Sequence, residues 1–221
     1  MGFTVHFFQY PQLINLFEEI FIYQVYKFAS EKSNPEIIDC GSNIGISILY
    51  FKKVFPTCII KAFEPDPIAF SILEKNIREN KVSNVSLFNY ALSDIEQETT
   101  LYKNNIQGSL SMSLFKSTEL PQNISVRSKK LSDFIDKKVD FIKIDTEGSE
   151  VKIIQELISS KKISFLQNMV IEFHPVQTKI ALEVFMDIIR ESNFLCSYEA
   201  DRLHDGATEV MVCCLNGDLP K

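Results

Sequence analysis

The sequence lacks several features that would assign it to a specialised class of protein. It has 23 basic against 29 acidic residues and a net charge of −6, so the basic surplus typical of general nucleic-acid binders is missing. Its five cysteines include no C-x-x-C pair, which predicts reduced, mostly buried thiols rather than a disulfide framework. No uncharged apolar run has transmembrane length, and the first residues show no signal-peptide pattern. We therefore expect a cytoplasmic protein without stable membrane insertion.

Strand-like and helix-like segments alternate over most of the 221 residues. The pattern predicts strands at 36–40, 58–63, 85–90, 139–144 and 165–173, with two closing strands near 194–199 and 209–215. Helices are predicted at 44–55, 69–79, 149–159 and 178–192. Such alternation is typical of an α/β fold, doubly wound, in which a mostly parallel sheet carries helices on both faces. Together with the absence of internal repeats, it predicts a single domain over residues 1–221.

Two segments fall outside this alternation. Residues 12–29 are apolar at helical spacing, which predicts an N-terminal helix, and we expect residues 1–33 to form a helical cap over the sheet. Residues 95–130 are polar and rich in serine and threonine, with short alternating runs. This pattern indicates an inserted hairpin or flap. We expect the cap and the flap to close over the site and select the substrate.

The end of the first predicted strand carries the clearest functional signal. Only seven glycines occur in the chain, yet Gly41 and Gly45 both lie in the turn after this strand. Glycine lets the backbone adopt left-handed conformations and approach a ligand closely, and the next helix offers free N–H groups there. Glu64 ends the second strand, 19 residues after Gly45, where doubly wound folds place an acid that accepts hydrogen bonds from ribose. The glycine turn and Glu64 together predict a ligand that resembles a nucleotide.

The turn differs from the common phosphate-binding patterns. A dinucleotide fingerprint requires glycine at positions 41, 43 and 46, but the chain has Asn43 and Ile46, and no Gly-Lys-Ser/Thr sequence occurs. The turn instead reads Asp-x-Gly-x-Asn-x-Gly, and a carboxylate such as Asp39 suits a ligand with a cationic amino-acid end better than a pyrophosphate. This pattern resembles the first motif of class I S-adenosylmethionine-dependent methyltransferases.

Further motifs follow in order and narrow the resemblance. They are Asp39-Cys-Gly-Ser-Asn-Ile-Gly45, Ala62-Phe-Glu-Pro-Asp-Pro67, Tyr90-Ala-Leu-Ser-Asp94, Leu131-Ser-Asp-Phe134, Ile142-Lys-Ile-Asp-Thr-Glu-Gly148 and Val170-Ile-Glu-Phe-His174. Together they resemble the FkbM-type methyltransferase family over roughly residues 36–175. The resemblance implies a seven-stranded, Rossmann-like methyltransferase fold that transfers a methyl group from S-adenosylmethionine to a hydroxyl oxygen, releasing S-adenosylhomocysteine. It implies cofactor contacts at Asp39, Gly41, Ser42, Asn43, Gly45, Glu64, Pro65, Ala91, Leu92 and Asp145.

The fourth and fifth strands carry the candidate catalytic residues. Phe141, Lys143 and Asp145 share one side of the fourth strand, because side chains alternate along a strand. Lys143 either pairs structurally with an acid such as Glu172 or serves as a base with a depressed pKa. Asp145 is expected to position the cofactor or to accept the substrate proton. His174 is a second candidate base, because the ordinary pKa of histidine lies near neutral pH.

Several alternatives remain at this point. Asp145, Glu147, Glu172 and His174 could converge on a metal ion, but no local signature supports one, so no metal is expected. The acceptor is expected to be a small hydroxylated molecule, either a sugar, a sugar-nucleotide or a polyketide. A nucleic-acid or protein methyltransferase and a non-catalytic scaffold are the rival functions. A homo-oligomer is compatible with the sequence.

Overall fold

The fold is described from a computed structural model, which covers residues 2–103, 112–114, 122–202 and 208–217. Its helices and strands follow one another along the chain in this order: α1 Tyr10–Phe17, β1 Glu36–Cys40, α2 Ile46–Val54, β2 Ile59–Phe63, α3 Pro67–Glu79, β3 Val85–Phe88, β4 Ala91–Leu92, β5 Gln97–Lys103, β6 Met112–Ser113, β7 Gln122–Lys129, β8 Val139–Ile144, α4 Glu150–Ser159, β9 Leu166–Phe173, α5 Pro175–Thr178, α6 Leu182–Arg190, β10 Phe194–Arg202 and β11 Thr208–Asn216.

Seven strands form the main sheet in the order β10-β11-β9-β8-β1-β2-β3. Strand β11 runs antiparallel to both of its neighbours, and the other strand pairs are parallel. The predicted seven-stranded, mostly parallel sheet is thus confirmed. Strand order reverses between β1 and β8, and in open sheets of this kind ligands bind beyond the carboxyl ends of the strands at such a point.

Hydrophobic clusters cover both faces of this sheet. On one face, Ile38 and Ile142 pack with α4 and α6, and on the other, Ile37 and Phe141 pack with α2, α3 and the N-terminal segment. Every residue of β8 is buried, as expected for a strand at the centre of a sheet covered on both sides. Within the described part of the chain, no helix is long and apolar enough to cross a membrane.

The N-terminal helix is shorter than predicted. Helix α1 begins at Tyr10 and continues as a π-helical turn that ends at Ile22, whereas the sequence pattern predicted a helix over 12–29. Gln24 adopts a left-handed conformation with a φ of 55°, which stops the helix. The following residues pack as irregular chain, and the ring of Phe28 stacks on Phe141 at 4.4 Å. Apolar spacing after Ile22 therefore reflects packing on the sheet rather than a helix.

The inserted segment forms a second, smaller sheet with the order β4-β7-β5-β6. Strand β5 pairs antiparallel with β7, from Gln97 with Ser128 to Lys103 with Gln122, and antiparallel with the short strand β6 on its other side. Residues 104–111 and 115–121 of the predicted flap lie outside the described residues. The flap reaches the main body through Ser113, whose Oγ donates to the carbonyl oxygen of Glu147 at 2.6 Å.

The prediction that all cysteines are reduced is wrong for one pair. Cys196 and Cys214 face each other directly across the antiparallel strands β10 and β11, and a disulfide joins them. Cys40, Cys58 and Cys213 are free, with the first two buried and Cys213 exposed. This pairing could not be predicted from the sequence, because it depends on the register of two strands and not on a cysteine motif.

Candidate active site

A cavity of about 200 Å³ opens beyond the carboxyl ends of the central strands. One end, which we call the glycine-turn end, lies over β1, β2 and the residues after β3. It is lined by Gly41, Ser42, Asn43, Glu64, Pro65, Ala91 and Leu92. The other, which we call the acidic end, lies over β8, β9 and β11. It is lined by Tyr26, Lys143, Asp145, Glu147, Glu172 and Glu209.

The glycine turn is held by close backbone packing. The N–H groups of Gly41 and Ser42 both donate to the carbonyl oxygen of Phe63 at 2.9 Å. Gly41 has a φ of +85°, and a Cβ atom there would lie 1.7 Å from the carbonyl oxygen of Asp145. Only glycine fits this position, because a side chain would collide with the backbone that follows β8. Gly45, with a φ of +88°, forms the N-cap of α2 and lies outside the cavity lining.

Glu64 stands in the cavity wall at the end of β2. Its carboxylate accepts hydrogen bonds from the backbone N–H groups of Asn43 and Asp66, both at 2.8 Å. Burial of the side chain raises the pKa of Glu64 to about 7, although the two N–H groups act against this shift. The carboxylate is thus rigidly oriented toward the glycine turn, where the resemblance places ribose.

Asp39 lies behind the cavity wall and does not line it. Its side chain is fully buried, where it accepts a 2.5 Å hydrogen bond from the hydroxyl of Ser47 and lies 3.5 Å from the ammonium of Lys143. Asp39 and Lys143 are direct neighbours in the register of β1 and β8, which explains their contact. The structure therefore gives Asp39 a supporting position rather than direct access to a ligand in the cavity.

Lys143 joins the two ends of the cavity. Its Nζ atom donates to the carbonyl oxygen of Gly41 at 2.6 Å, lies 3.1 Å from the carboxylate of Asp145, and sits over the ring of Tyr26. Burial alone would lower the pKa of Lys143, but the nearby carboxylates of Asp145 and Asp39 outweigh it and raise the pKa above its ordinary value. The predicted base with a depressed pKa is therefore wrong. Its ion pairs are with these two aspartates and not with Glu172.

The acidic end brings carboxylates from separate elements together. The hydroxyl of Tyr26 donates to Glu172 at 3.4 Å, and Glu209 approaches from β11. Burial raises the pKa of Glu147 to about 8, with Asp145 and Glu209 adding to the shift against the opposing effect of His174. The pKa of Glu172 is raised in the same way by burial and by Asp145. Burial and mutual proximity therefore favour the protonated, neutral forms of Glu147 and Glu172 in this cluster.

His174 lies beneath the acidic end and does not line the cavity. Its side chain is 1% exposed, with Nδ1 at 3.3 Å from Glu150 and Nε2 at 3.6 Å from Glu147. Burial alone would lower the pKa of His174, but these two carboxylates outweigh it and raise the pKa to about 11. The prediction of a base that titrates near neutral pH is wrong, because the carboxylates hold the imidazole in its protonated form.

Two sets of side chains place potential metal ligands within 4.8 Å of one another. They are Asp145, Glu147 and His174, and Glu172, His174 and Glu209. The convergence considered from the sequence is therefore present in space, with Glu209 added. Neither Tyr26 nor Glu209 belonged to a recognisable motif, since their proximity depends on the path of the N-terminal segment and on the antiparallel placement of β11.

The sheet order, the glycine turn after β1 and the acid after β2 define the fold of a class I methyltransferase. The chain matches the methyltransferase FkbM domain over residues 39–200, and it belongs to this family. Its class of activity is methyl transfer, for which the family implies S-adenosylmethionine as the donor.

Known relatives agree with this assignment. "Methyltransferase 1" of Beauveria bassiana is 30% identical over 177 residues, which is 70% of this chain and 71% of the relative. The 2-O-methyltransferase NoeI of Sinorhizobium fredii is 28% identical over a match that covers 56% of this chain and 58% of NoeI. The crystal structure of an FkbM methyltransferase from Methylobacillus flagellatus KT has a TM-score of 0.60 at 15% identity, covering 84% of this chain. The present chain spans only 45% of that protein, and the likeness shows the fold alone.

Proposed function

We propose that the protein transfers the methyl group of S-adenosylmethionine to a hydroxyl oxygen of a small, uncharged, polyhydroxylated acceptor such as a sugar. The observation that carries this proposal is the division of one cavity into a glycine-turn end and an acidic end at the point where strand order reverses. The relative NoeI is a 2-O-methyltransferase, which supports transfer to oxygen.

The glycine-turn end suits the cofactor. Glu64 offers a fixed carboxylate to the two ribose hydroxyls, while Ala91 and Leu92 provide an apolar, buried surface for the adenine ring. The Gly41–Asn43 backbone lies along the path to Asp145, where the methionine part would extend. Asp145 thus stands near the sulfonium, and its negative charge favours that cation.

The acidic end suits an acceptor rich in hydroxyl groups. Carboxylates accept hydrogen bonds from hydroxyls with more strength than neutral acceptors do. A phosphate group would be repelled by the carboxylate of Asp145, and the ammonium of Lys143 beside it is already paired. This charge favours a neutral sugar over a sugar-nucleotide or a nucleic acid as the acceptor.

The chemistry needs alignment more than activation. The acceptor oxygen attacks the methyl carbon in line with the carbon–sulfur bond, which breaks, leaving a methyl ether and neutral S-adenosylhomocysteine. Most of the acceleration comes from holding the two reactants in this geometry. The hydroxyl proton passes to Asp145, the cavity carboxylate nearest to the glycine turn, while Lys143 holds that side chain in place at 3.1 Å.

Replacement of Asp145 by asparagine tests this assignment. Asp145→Asn should reduce turnover by about 10²–10⁴-fold, the usual contribution of a positioned proton acceptor, and change the affinity for S-adenosylmethionine only a few-fold. Methyl transfer to a panel of neutral sugars, nucleotide sugars and polyketides would be followed by mass spectrometry. Glu79→Gln, at an exposed position remote from the cavity lining, serves as the control. Undiminished turnover in Asp145→Asn would remove this residue from the reaction.

A further inference from the structure

Unsatisfied polar atoms gather at the acidic end of the cavity. Four buried side-chain polar atoms of the described residues lack a hydrogen-bond partner, and three of them are Ser149 Oγ, Glu150 Oε2 and His174 Nε2. The fourth, Asp39 Oδ1, lies 3.5 Å from Lys143. Buried polar groups in proteins are nearly always paired, so such a concentration indicates a group that the protein is built to hold.

His174 is the central member of this group. Its Nδ1 atom contacts Glu150, which is itself fixed by hydrogen bonds from the N–H groups of Thr146 and Gly148. The ring is thus oriented so that Nε2 points toward Glu147 at 3.6 Å and Glu209 at 4.0 Å. A carboxylate that orients an imidazole through one nitrogen is the usual arrangement behind a metal-ligating histidine, and a metal ion bound at Nε2 would displace the proton that this nitrogen carries in the metal-free protein.

We propose that Asp145, Glu147, Glu172, His174 and Glu209 form a binding site for a divalent first-row metal ion. One imidazole nitrogen combined with several carboxylates suits Mn²⁺ or Zn²⁺ better than Mg²⁺ or Ca²⁺, which prefer oxygen ligands alone. His174 closes the site from below, and the four carboxylates open it to the cavity.

The dimensions agree with this assignment. The ligand atoms within each of the two sets lie no more than 4.8 Å apart. Opposite ligands of a metal ion with bonds of about 2.0–2.3 Å are separated by about 4.0–4.6 Å. The separations within each set are therefore of the size found around a single metal ion.

The charged side chains around the proposed site also favour a bound cation. Lys143 is paired with Asp39 and Asp145, and His174 is the only cationic side chain among the described residues that forms an ion pair with Glu147 or Glu209. Glu172 is held by a hydrogen bond from the neutral hydroxyl of Tyr26. A divalent cation would compensate the carboxylates that the protein leaves with little positive charge around them.

The role that we assign to the metal ion rests on the proposed function. A metal ion at the acidic end would bind an acceptor hydroxyl and lower its pKa, so that the proton leaves to solvent, or to the oxygen of Asp145 that does not bind the metal, before the acceptor oxygen attacks the methyl group. The metal ion is neither oxidised nor reduced in this step.

The test is a titration of the full chain with Mn²⁺ in the absence of cofactor and acceptor, followed by electron paramagnetic resonance and calorimetry. We expect one saturable site, with Zn²⁺ competing for it. Glu209→Gln and Glu172→Gln should weaken binding at least 10-fold, whereas Glu79→Gln, outside the cluster, should bind like the wild type. Because His174 is buried, His174→Gln is compared only if its thermal unfolding remains cooperative, and the two glutamate variants carry the test without it.

The outcomes separate this inference from the proposed function. Absence of saturable Mn²⁺ and Zn²⁺ binding in a folded protein that binds S-adenosylmethionine would overturn the metal site, as would unchanged Mn²⁺ binding in both glutamate variants. Saturable binding that both variants lose would support the site even in a preparation that transfers no methyl group, a result that would count against the proposed function alone.

Discussion

The two ends of the cavity are built in different ways. The glycine-turn end consists largely of backbone and of side chains that follow β1, β2 and β3 directly in the sequence. The acidic end collects side chains from Tyr26 to Glu209, and their neighbours in space are remote in the chain. Backbone geometry leaves a local trace in the sequence, such as a glycine at a positive φ, whereas a cluster of side chains from distant elements leaves none.

Lys143 contacts both ends of the cavity. It binds the carbonyl oxygen of Gly41 on one side and the carboxylate of Asp145 on the other. The hydrogen bond from this β8 side chain to the residue after β1 thereby connects the glycine-turn end with the acidic end. Substitutions at the glycine turn, at Lys143 and at Glu64 test this contrast between the two ends.

Gly41→Ala should disrupt the packing of the glycine turn against the backbone that follows β8. Its Cβ atom would lie 1.7 Å from the carbonyl oxygen of Asp145, so β1 and β8 must separate at the centre of the sheet. We expect loss of cooperative unfolding or loss of all detectable S-adenosylmethionine binding. Gly2→Ala is a matched control, because Gly2 has a similar φ of +83° but nothing within 4 Å of the new atom. Cofactor binding by a well-folded Gly41→Ala protein would contradict the close packing described here.

Lys143→Met should destabilise the protein by about 3–5 kcal/mol, because it leaves Asp39 buried without its cationic partner. Urea unfolding would measure the loss. The double variant Asp39→Asn/Lys143→Met should recover part of it, since the uncompensated buried charge is then absent. A loss below about 1 kcal/mol in the single variant, or no recovery in the double variant, would show that the Asp39–Lys143 ion pair does not stabilise the fold.

Glu64→Gln should weaken S-adenosylmethionine binding about 10- to 100-fold at pH 8, the cost of losing hydrogen bonds to a charged acceptor. In the wild type, affinity should rise as the pH increases through about 7, where Glu64 loses its proton, and the variant should lack this dependence. Equal affinities at pH 6 and 8 in the wild type would contradict the role of the carboxylate.

The raised pKa of Glu64 also affects the stability of the fold. Stability should fall as the pH rises, whereas the affinity for the cofactor should increase. Because the pKa of Glu64 in the fold lies above its ordinary value of 4.5, the protonated form favours the folded state. This contribution is fully present below pH 4.5 and is lost as the pH rises through about 7. Calorimetry of unfolding over this range should show the trend in the wild type and a reduced trend in Glu64→Gln.

The sequence allowed most of the sheet to be predicted and about half of the site. Strands β1 and β8 occupy the predicted residues, because each is a short apolar run between clear turn signals. Gly41 and Glu64 were identified because strained turns and strand-end acids occur at fixed spacing. The partners of Lys143 were not, since they follow from the register of β1 against β8.

The other predictions that were wrong also concern contacts between distant parts of the chain or the conformation of single residues. His174 looked like a neutral base because the positions of Glu147 and Glu150 around its ring depend on how α4 packs on β9. The Cys196–Cys214 disulfide depends on strand pairing, and the early end of the N-terminal helix depends on one left-handed residue, Gln24. Each requires knowledge of contacts or backbone angles that hydrophobic periodicity does not contain.

A crystal structure of the protein with S-adenosylhomocysteine would test the division of the cavity most directly. We expect the ribose hydroxyls to lie within hydrogen-bond distance of Glu64, the adenine to rest against Leu92, and the sulfur to lie between the glycine turn and Asp145. The acidic end would then remain free for the acceptor. A complex with the ribose or adenine among Glu147, Glu172 and Glu209 would contradict it.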